Sequence, residues 1–157
     1  MAIVVLFVGI KGYFTDTTKL NKLSFSFSPN PESIPQVKKE EEKVSAEDIE
    51  KLKSYMELEK PYLNPDLNLS DLSDELQINR AELSKIINSG FNKNFNDFIN
   101  EYRVNTFKEK LNLGEHKQLS LLGIAYDCGF NSKATFNRVF KKITQISPTE
   151  FLNSITK

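Results

Sequence analysis

The sequence predicts an all-α protein: two helix-turn-helix units joined by a long linker helix, with an N-terminal apolar segment and a linker before them. Three observations predict it. From Ser45 onward apolar residues recur at three- and four-residue intervals, the period of an amphipathic helix. Ile124 to Asn131, followed by Ser132 to Lys142, reads as a short helix, a Gly-Phe turn and a second helix with a polar, basic outer face. A looser copy of that pattern lies about fifty residues earlier.

The elements follow in chain order. Ala2 to Ile10 is apolar but too short to span a bilayer, which needs about 20 residues, and it lacks the basic leader and cleavage site of a secretory signal. It fits a buried strand, the remnant of a truncated transmembrane helix, or a non-native leader. The remnant is preferred, because the run is β-branched and leads into no recognisable sheet. Residues 1–14 are therefore set apart as an apolar segment. Residues 15–44 read as a linker. Ser24 to Ser28 alternates like a short strand, but Pro29, Pro31 and Pro35 follow at once, and Lys38 to Lys43 is a solvated charge run.

Residues 45–66 form an N-terminal helix and connector. Ser45 with Asp48 makes an N-cap pair, and Ile49, Leu52, Met56 and Leu58 or Glu59 trace a stripe up to Pro61. Pro61 to Leu67 is rich in turn residues. Residues 67–157 then form the main domain. Asn68 caps a helix to about Gln77 that buries Leu69, Leu72 and Leu76. Asn79, with Glu82 at the third helical position, starts a helix burying Leu83, Ile86 and Ile87. Asn94 opens a longer helix through Leu113. Ser120 precedes a helix through Cys128, and Ser132 one to about Gln145. Ser147-Pro148-Thr149-Glu150 combines a capping box with proline at the first helical position.

The internal repeat keeps a constant spacing over its first half. Leu72, Ser73, Leu76, Ile78 and Asn79 each lie 52 residues before Ile124, Ala125, Cys128, Phe130 and Asn131. After one inserted residue, Leu83 to Ile87 match Phe136 to Phe140. At 100° per residue, Phe136, Val139, Phe140 and Ile143 share one side of the second helix, with Ala134, Arg138 and Lys141 opposite and Asn137 beside them. In the first unit Leu83, Ile86 and Ile87 point inward, while Ala81, Lys85 and Asn88 point outward with Ser84 beside them. Arginine pairs well with guanine and asparagine with adenine at major-groove edges, and small residues let a helix approach the bases. The connector from Asn94 to Leu113 is about 30 Å long at 1.5 Å per residue, near the roughly 34 Å between successive major grooves on one face of DNA.

The stretch from about Leu67 to Leu152 resembles the DNA-binding domain of the AraC/XylS family of bacterial transcription regulators. The resemblance is carried by Ala125, Gly129-Phe130, Phe136, Arg138, Phe140-Lys141 and Ser147-Pro148 through Phe151, and by a linker-helix motif at Asn96 to Val104. It implies seven helices, two helix-turn-helix units and sequence-specific promoter binding by two recognition helices in adjacent major grooves of double-stranded DNA. By position it assigns base-facing roles to Arg80, Ala81, Ser84 and Lys85 in the first recognition helix, and to Lys133, Ala134, Asn137 and Arg138 in the second. Lys141 is expected at a phosphate. Gln77, Gln145 and Leu152 depart from the family pattern, which more often has a small residue, glycine and arginine there. Gly12-Tyr13-Phe14 and Glu59 to Leu63 are similar to members with a membrane-embedded sensory half. That likeness implies a cytoplasmic output end of a longer, inner-membrane-anchored protein, with RNA polymerase as a further partner.

Composition narrows the alternatives. Formal net charge is zero over 157 residues, so whole-chain charge gives no sign of nucleic-acid binding. Its distribution does: residues 131–157 carry Lys133, Arg138, Lys141, Lys142 and Lys157 against Glu150, a net of +4. Residues 61–90 carry Arg80 and Lys85 against five acids. The single cysteine, Cys128, rules out an internal disulfide and fits a reducing compartment. With the single histidine, His116, it cannot form a structural zinc site. No cofactor, catalytic constellation or enzymatic activity is expected. The alternative is a protein-interaction module on the same fold without DNA binding, suggested by the near-zero net charge, with the acidic first unit docking on a partner.

Overall fold

The computed structural model describes residues 44–156. The expectations for residues 1–14 and, apart from Val44, for 15–44 lie outside them. Seven α-helices are formed among the described residues: α1 (Ala46–Leu58), α2 (Leu69–Glu75), α3 (Arg80–Phe91), α4 (Phe95–Asn112), α5 (Leu121–Asp127), α6 (Lys133–Thr144) and α7 (Pro148–Ile155). Short 3-10 turns sit at Pro61–Leu63 and Glu115–Lys117. The all-α expectation is met.

The helix starts follow from their caps. Asn68, Asn79, Asn94, Ser120, Ser132 and Ser147 each accept a backbone N–H from the first turn of the helix they precede. Each such cap contributes on the order of 1 kcal/mol. Ser45 caps α1 as expected, but its Oγ accepts from Glu47 N at 3.1 Å, one residue earlier than the Asp48 pairing anticipated. Reciprocal capping boxes close at Asn68 with Asp71 and at Ser147 with Glu150.

The turns confirm the repeat in hydrogen-bond detail. Ile78 N donates to Ser73 O and Gln77 N to Asp74 O, both at 3.1 Å. Phe130 N donates to Ala125 O at 3.1 Å and Gly129 N to Tyr126 O at 2.9 Å. These are the paired closing bonds of a Schellman motif, in which the residue after the cap is left-handed. Gln77 has φ 57° and Gly129 φ 89° accordingly. This left-handed step ends α2 at Glu75, short of the expected Gln77, and α5 at Asp127.

Two hydrophobic cores result. Leu52, Met56, Tyr62, Leu67, Leu72, Leu83, Ile86, Ile87, Phe98 and Ile99 form the first. Val104, Phe107, Leu111, Ile124, Ala125, Cys128, Phe130, Phe136, Val139 and Phe140 form the second, with Leu121, Phe151 and Leu152 packed against it. α1 and Pro61–Leu63 thus share the first core with α2, α3 and the N-terminal half of α4. Gly90 permits the α1 packing, since a Cβ there would lie 2.7 Å from Ile49 Cγ1. Helix α4 crosses from one core to the other between Tyr102 and Val104.

Three apolar assignments are corrected. Leu58 is 79% exposed, because α1 reaches its end and the chain turns away through left-handed Lys60. Ile143 is 38% exposed: it shares a side with Phe140 but lies in the last turn of α6, at the core's edge. Pro61 to Leu67, expected only as connector, buries both Tyr62 and Leu67.

Candidate nucleic-acid interface

Helices α3 and α6 both pack on α4, so one rod of 18 residues, about 27 Å long, supports both second helices of the repeat. Each is held by its apolar stripe, Leu83, Ile86 and Ile87 in α3 and Phe136, Val139 and Phe140 in α6. Burial of these stripes fixes which residues face out.

On α3, Arg80, Ala81 and Lys85 are exposed. Ser84 is half-buried, and its Oγ accepts from Asn88 Nδ2 at 3.2 Å. On α6, Lys133, Ala134, Asn137, Arg138 and Lys141 are all exposed. Among the described residues no ion pair engages Arg80, Lys85, Lys133, Arg138 or Lys141. Their donors are therefore open to an external acceptor. The two sets lie on separate helices, and each set clusters on one helical face.

Lys142 behaves differently from its neighbour. Its Nζ lies 2.6 Å from Asp97 Oδ1, tying α6 to the first turn of α4. That hydrogen bond is the main reason the Asp97 carboxyl is held below its ordinary range, with charge attraction to Lys142 and Arg138 adding to it. Arg138 therefore stands near a fixed negative charge while remaining exposed. Lys93 and Glu101 form a second ion pair along the same edge of α4.

Reactive chemistry is poorly served here. Burial pushes the Cys128 thiol up to about 12, so it is protonated at neutral pH and shielded inside the second core. Among the described residues no group of three or more His, Cys, Asp or Glu could hold a metal ion. His116 is half-buried, with Nδ1 3.3 Å from Leu111 O.

Two residues escaped sequence reasoning. Tyr62 sat in what looked like a connector, and Arg103 was only one letter of the linker-helix motif. Arg103 Nε donates to Tyr62 O at 2.7 Å and its Nη2 donates to Asn64 O at 2.8 Å. A charged residue at the point where α4 changes cores was the available signal.

Comparison with known proteins gives the lineage. The helix-turn-helix domain family pattern matches residues 72–154. The TCP pilus virulence regulatory protein of Vibrio cholerae serotype O1 is 34% identical over 87 residues, covering 55% of this chain and 30% of that protein. This chain thus spans less than a third of the length of the curated relatives it matches. A structure of a protein of unknown function from Listeria innocua is 28% identical with a TM-score of 0.56, covering 67% of this chain and 94% of that one. The C-terminal domain of AraT, a response regulator from Geobacillus stearothermophilus, has a TM-score of 0.57 over 68% of this chain and 84% of that one; at 22% identity it speaks for the fold alone. With the repeat, the linker helix and the matched residues in agreement, the chain belongs to the AraC-type helix-turn-helix family.

Proposed function

We propose that this chain is a sequence-specific DNA-binding transcription regulator that inserts α3 and α6 into adjacent major grooves. The observation that carries this reading is the pair of outward faces on one supporting helix, bearing donors that form no ion pair with a carboxylate of the described residues. Arg80, Ala81, Ser84 and Lys85 read bases from α3; Lys133, Ala134, Asn137 and Arg138 read them from α6; Lys141 meets a phosphate. The DNA-reading body takes in α1 and Pro61–Leu63 as well as residues 67–157, because they complete the first core. Its role is binding rather than catalysis. On this reading it works in the cytoplasm beside RNA polymerase, and any membrane tether would enter through a region N-terminal to the described residues. No helix of the described residues is long and apolar enough to cross a membrane.

Selection from a random duplex library, followed by titration between 50 and 200 mM salt, tests the reading. A preferred, non-palindromic site of about two helical turns is expected, with log affinity falling linearly against log salt. No preferred sequence, or a flat salt response, would sink it.

One observation favours a second reading, a protein-interaction module. Helix α2 exposes Asp71, Asp74 and Glu75, a face that repels phosphate. Detectable site-specific binding by the chain dismisses that reading.

A further inference from the structure

Arg103 sits where α4 passes from one core to the other. Phe98, Ile99 and Tyr102 pack on the first core, while Val104, Phe107 and Leu111 belong to the second. The guanidinium is half-buried and is held by backbone carbonyls, with no carboxylate ion-paired to it among the described residues. Both acceptors, Tyr62 O and Asn64 O, belong to the turn anchored in the first core. The same guanidinium lies over the Phe130 ring of the second core, with Cζ 5.9 Å from the ring centroid.

The second unit closes on this point from the other side. Gly129, in its turn, comes so near that a Cβ would lie 2.3 Å from Tyr62 O and 3.0 Å from Arg103 Nε. Thr106, one helical turn beyond Arg103, donates its hydroxyl to Tyr62 Oη at 3.1 Å. Three segments therefore meet at one planar cation: Pro61 to Asn64, the middle of α4, and the turn between α5 and α6. A guanidinium donates in a rigid fork, and backbone carbonyls cannot swing away as side chains do. Such a joint adds a directional restraint between the two cores that non-directional apolar burial does not supply.

We infer that Arg103 is a positioning residue that locks the second helix-turn-helix unit against the first, and so sets the groove spacing that α3 and α6 can engage together. The inference rests on the two-reader function proposed above, but the lock itself is a property of the free protein. Arg103 touches no base on this view. It acts by holding Tyr62, Asn64 and Gly129 in register.

The test uses the full chain with nitroxide labels at Ser89→Cys on α3 and Asn153→Cys on α7, both exposed, Cys128 being buried. Electron–electron dipolar spectroscopy should give one narrow distance distribution with Arg103 present. Arg103→Met should broaden or shift it while far-UV circular dichroism keeps its helical signal. Arg103→Lys keeps the charge but loses the two-carbonyl fork, so it should broaden the distribution partly, and it serves should Arg103→Met not fold. An unchanged distribution in a folded variant of either kind overturns the lock.

The second arm uses the duplex selected by the unaltered chain and a version with one base pair inserted between the two contacted grooves. That insertion displaces one groove by about 3.4 Å and turns it by roughly a tenth of a turn. The unaltered chain should lose at least about tenfold in affinity, the cost of one well-made base contact. Arg103→Met should discriminate the two duplexes by less than about threefold. Equal discrimination by both proteins overturns the role in spacing. A broadened distribution beside an unaltered chain with no preferred duplex leaves the lock standing and removes the DNA-reading proposal instead.

Discussion

Gln77 and Gly129 occupy the same place in the two helix-turn-helix units, 52 residues apart, and both are left-handed. Their surroundings differ. Gln77 is exposed, so its side chain runs into solvent and the only cost is the backbone conformation, about 1–2 kcal/mol for a residue with a Cβ. Gly129 is buried against Tyr62 O and Arg103, where no side chain fits at all. The same turn is therefore permissive in the first unit and strict in the second. The second turn doubles as the contact between halves, and that second duty is what forbids a side chain. Charge divides the units along the same line: residues 131–157 are basic, while residues 61–90 are acidic.

Substitution at the strict turn should have the largest effect. Gly129→Ala adds left-handed strain and drives a methyl into a backbone carbonyl, together about 3 kcal/mol of destabilisation. Gln77→Ala should cost under about 0.5 kcal/mol, since Gln77 already carries the strain. Urea denaturation of both variants measures the contrast; equal losses would break the claim that the two turns do different work. Next comes DNA reading. Arg138→Ala should weaken the preferred duplex about tenfold while leaving random DNA nearly unchanged, and Lys85→Ala should weaken it less than about threefold. Lys85→Ala costing more than Arg138→Ala would place the main reader in the acidic unit and reverse the charge comparison.

Much of this was legible in the residues. The caps at Asn68, Asn79, Asn94, Ser120, Ser132 and Ser147 and the outward placement of Asn137 and Arg138 follow from local rules, three- and four-residue periodicity and cap chemistry. What was hidden is non-local. Tyr62 looked like part of a connector because its burial depends on Tyr102 stacking 5.3 Å away, forty residues on. Arg103 looked like one more polar letter of a helix because its partners are carbonyls, which any sequence has. Ile143 was given to the core by its angle alone, and angle does not reveal where a helix runs off the edge of its support. Gly129 was readable as a turn glycine, but the carbonyl that makes it irreplaceable comes from the opposite half of the molecule.

A smaller effect sharpens the first unit. Gln77→Gly should stabilise the chain by roughly 0.5–1 kcal/mol, the relief of left-handed strain less the extra freedom glycine gives the unfolded chain. The same change at Gln145, left-handed at the end of α6 with φ 66°, should gain less, because it also removes the hydrogen bond that Gln145 Nε2 donates to Lys142 O at 2.9 Å. Thermal unfolding would register either gain as a rise of a few degrees. No gain at Gln77 would mean that its side chain contributes contacts that offset the strain, so the two turns would be less different than their exposure implies.

The smallest effect separates the half-buried joint at Arg103 from the surface tie between Lys142 and Asp97. The latter pair is exposed, at 59% and 40% of the two side chains, which puts it near 0–1 kcal/mol. Asp97 has a folded-state pKa below its ordinary 3.8, owing first to the Lys142 hydrogen bond. A carboxyl of that kind adds stability that is complete above its unfolded pKa and is lost as pH falls through the lower folded value. The tie should therefore act fully at pH 7 and fade only below about pH 4. Lys142→Ala should cost less than about 1 kcal/mol at pH 7, and the gap to the unaltered chain should narrow as pH is lowered to 3. Urea titrations at the two pH values read the difference directly. A gap that stays constant would assign the contribution of Lys142 to its apolar stem packed on α4, and the contact between halves would then owe nothing to surface charge.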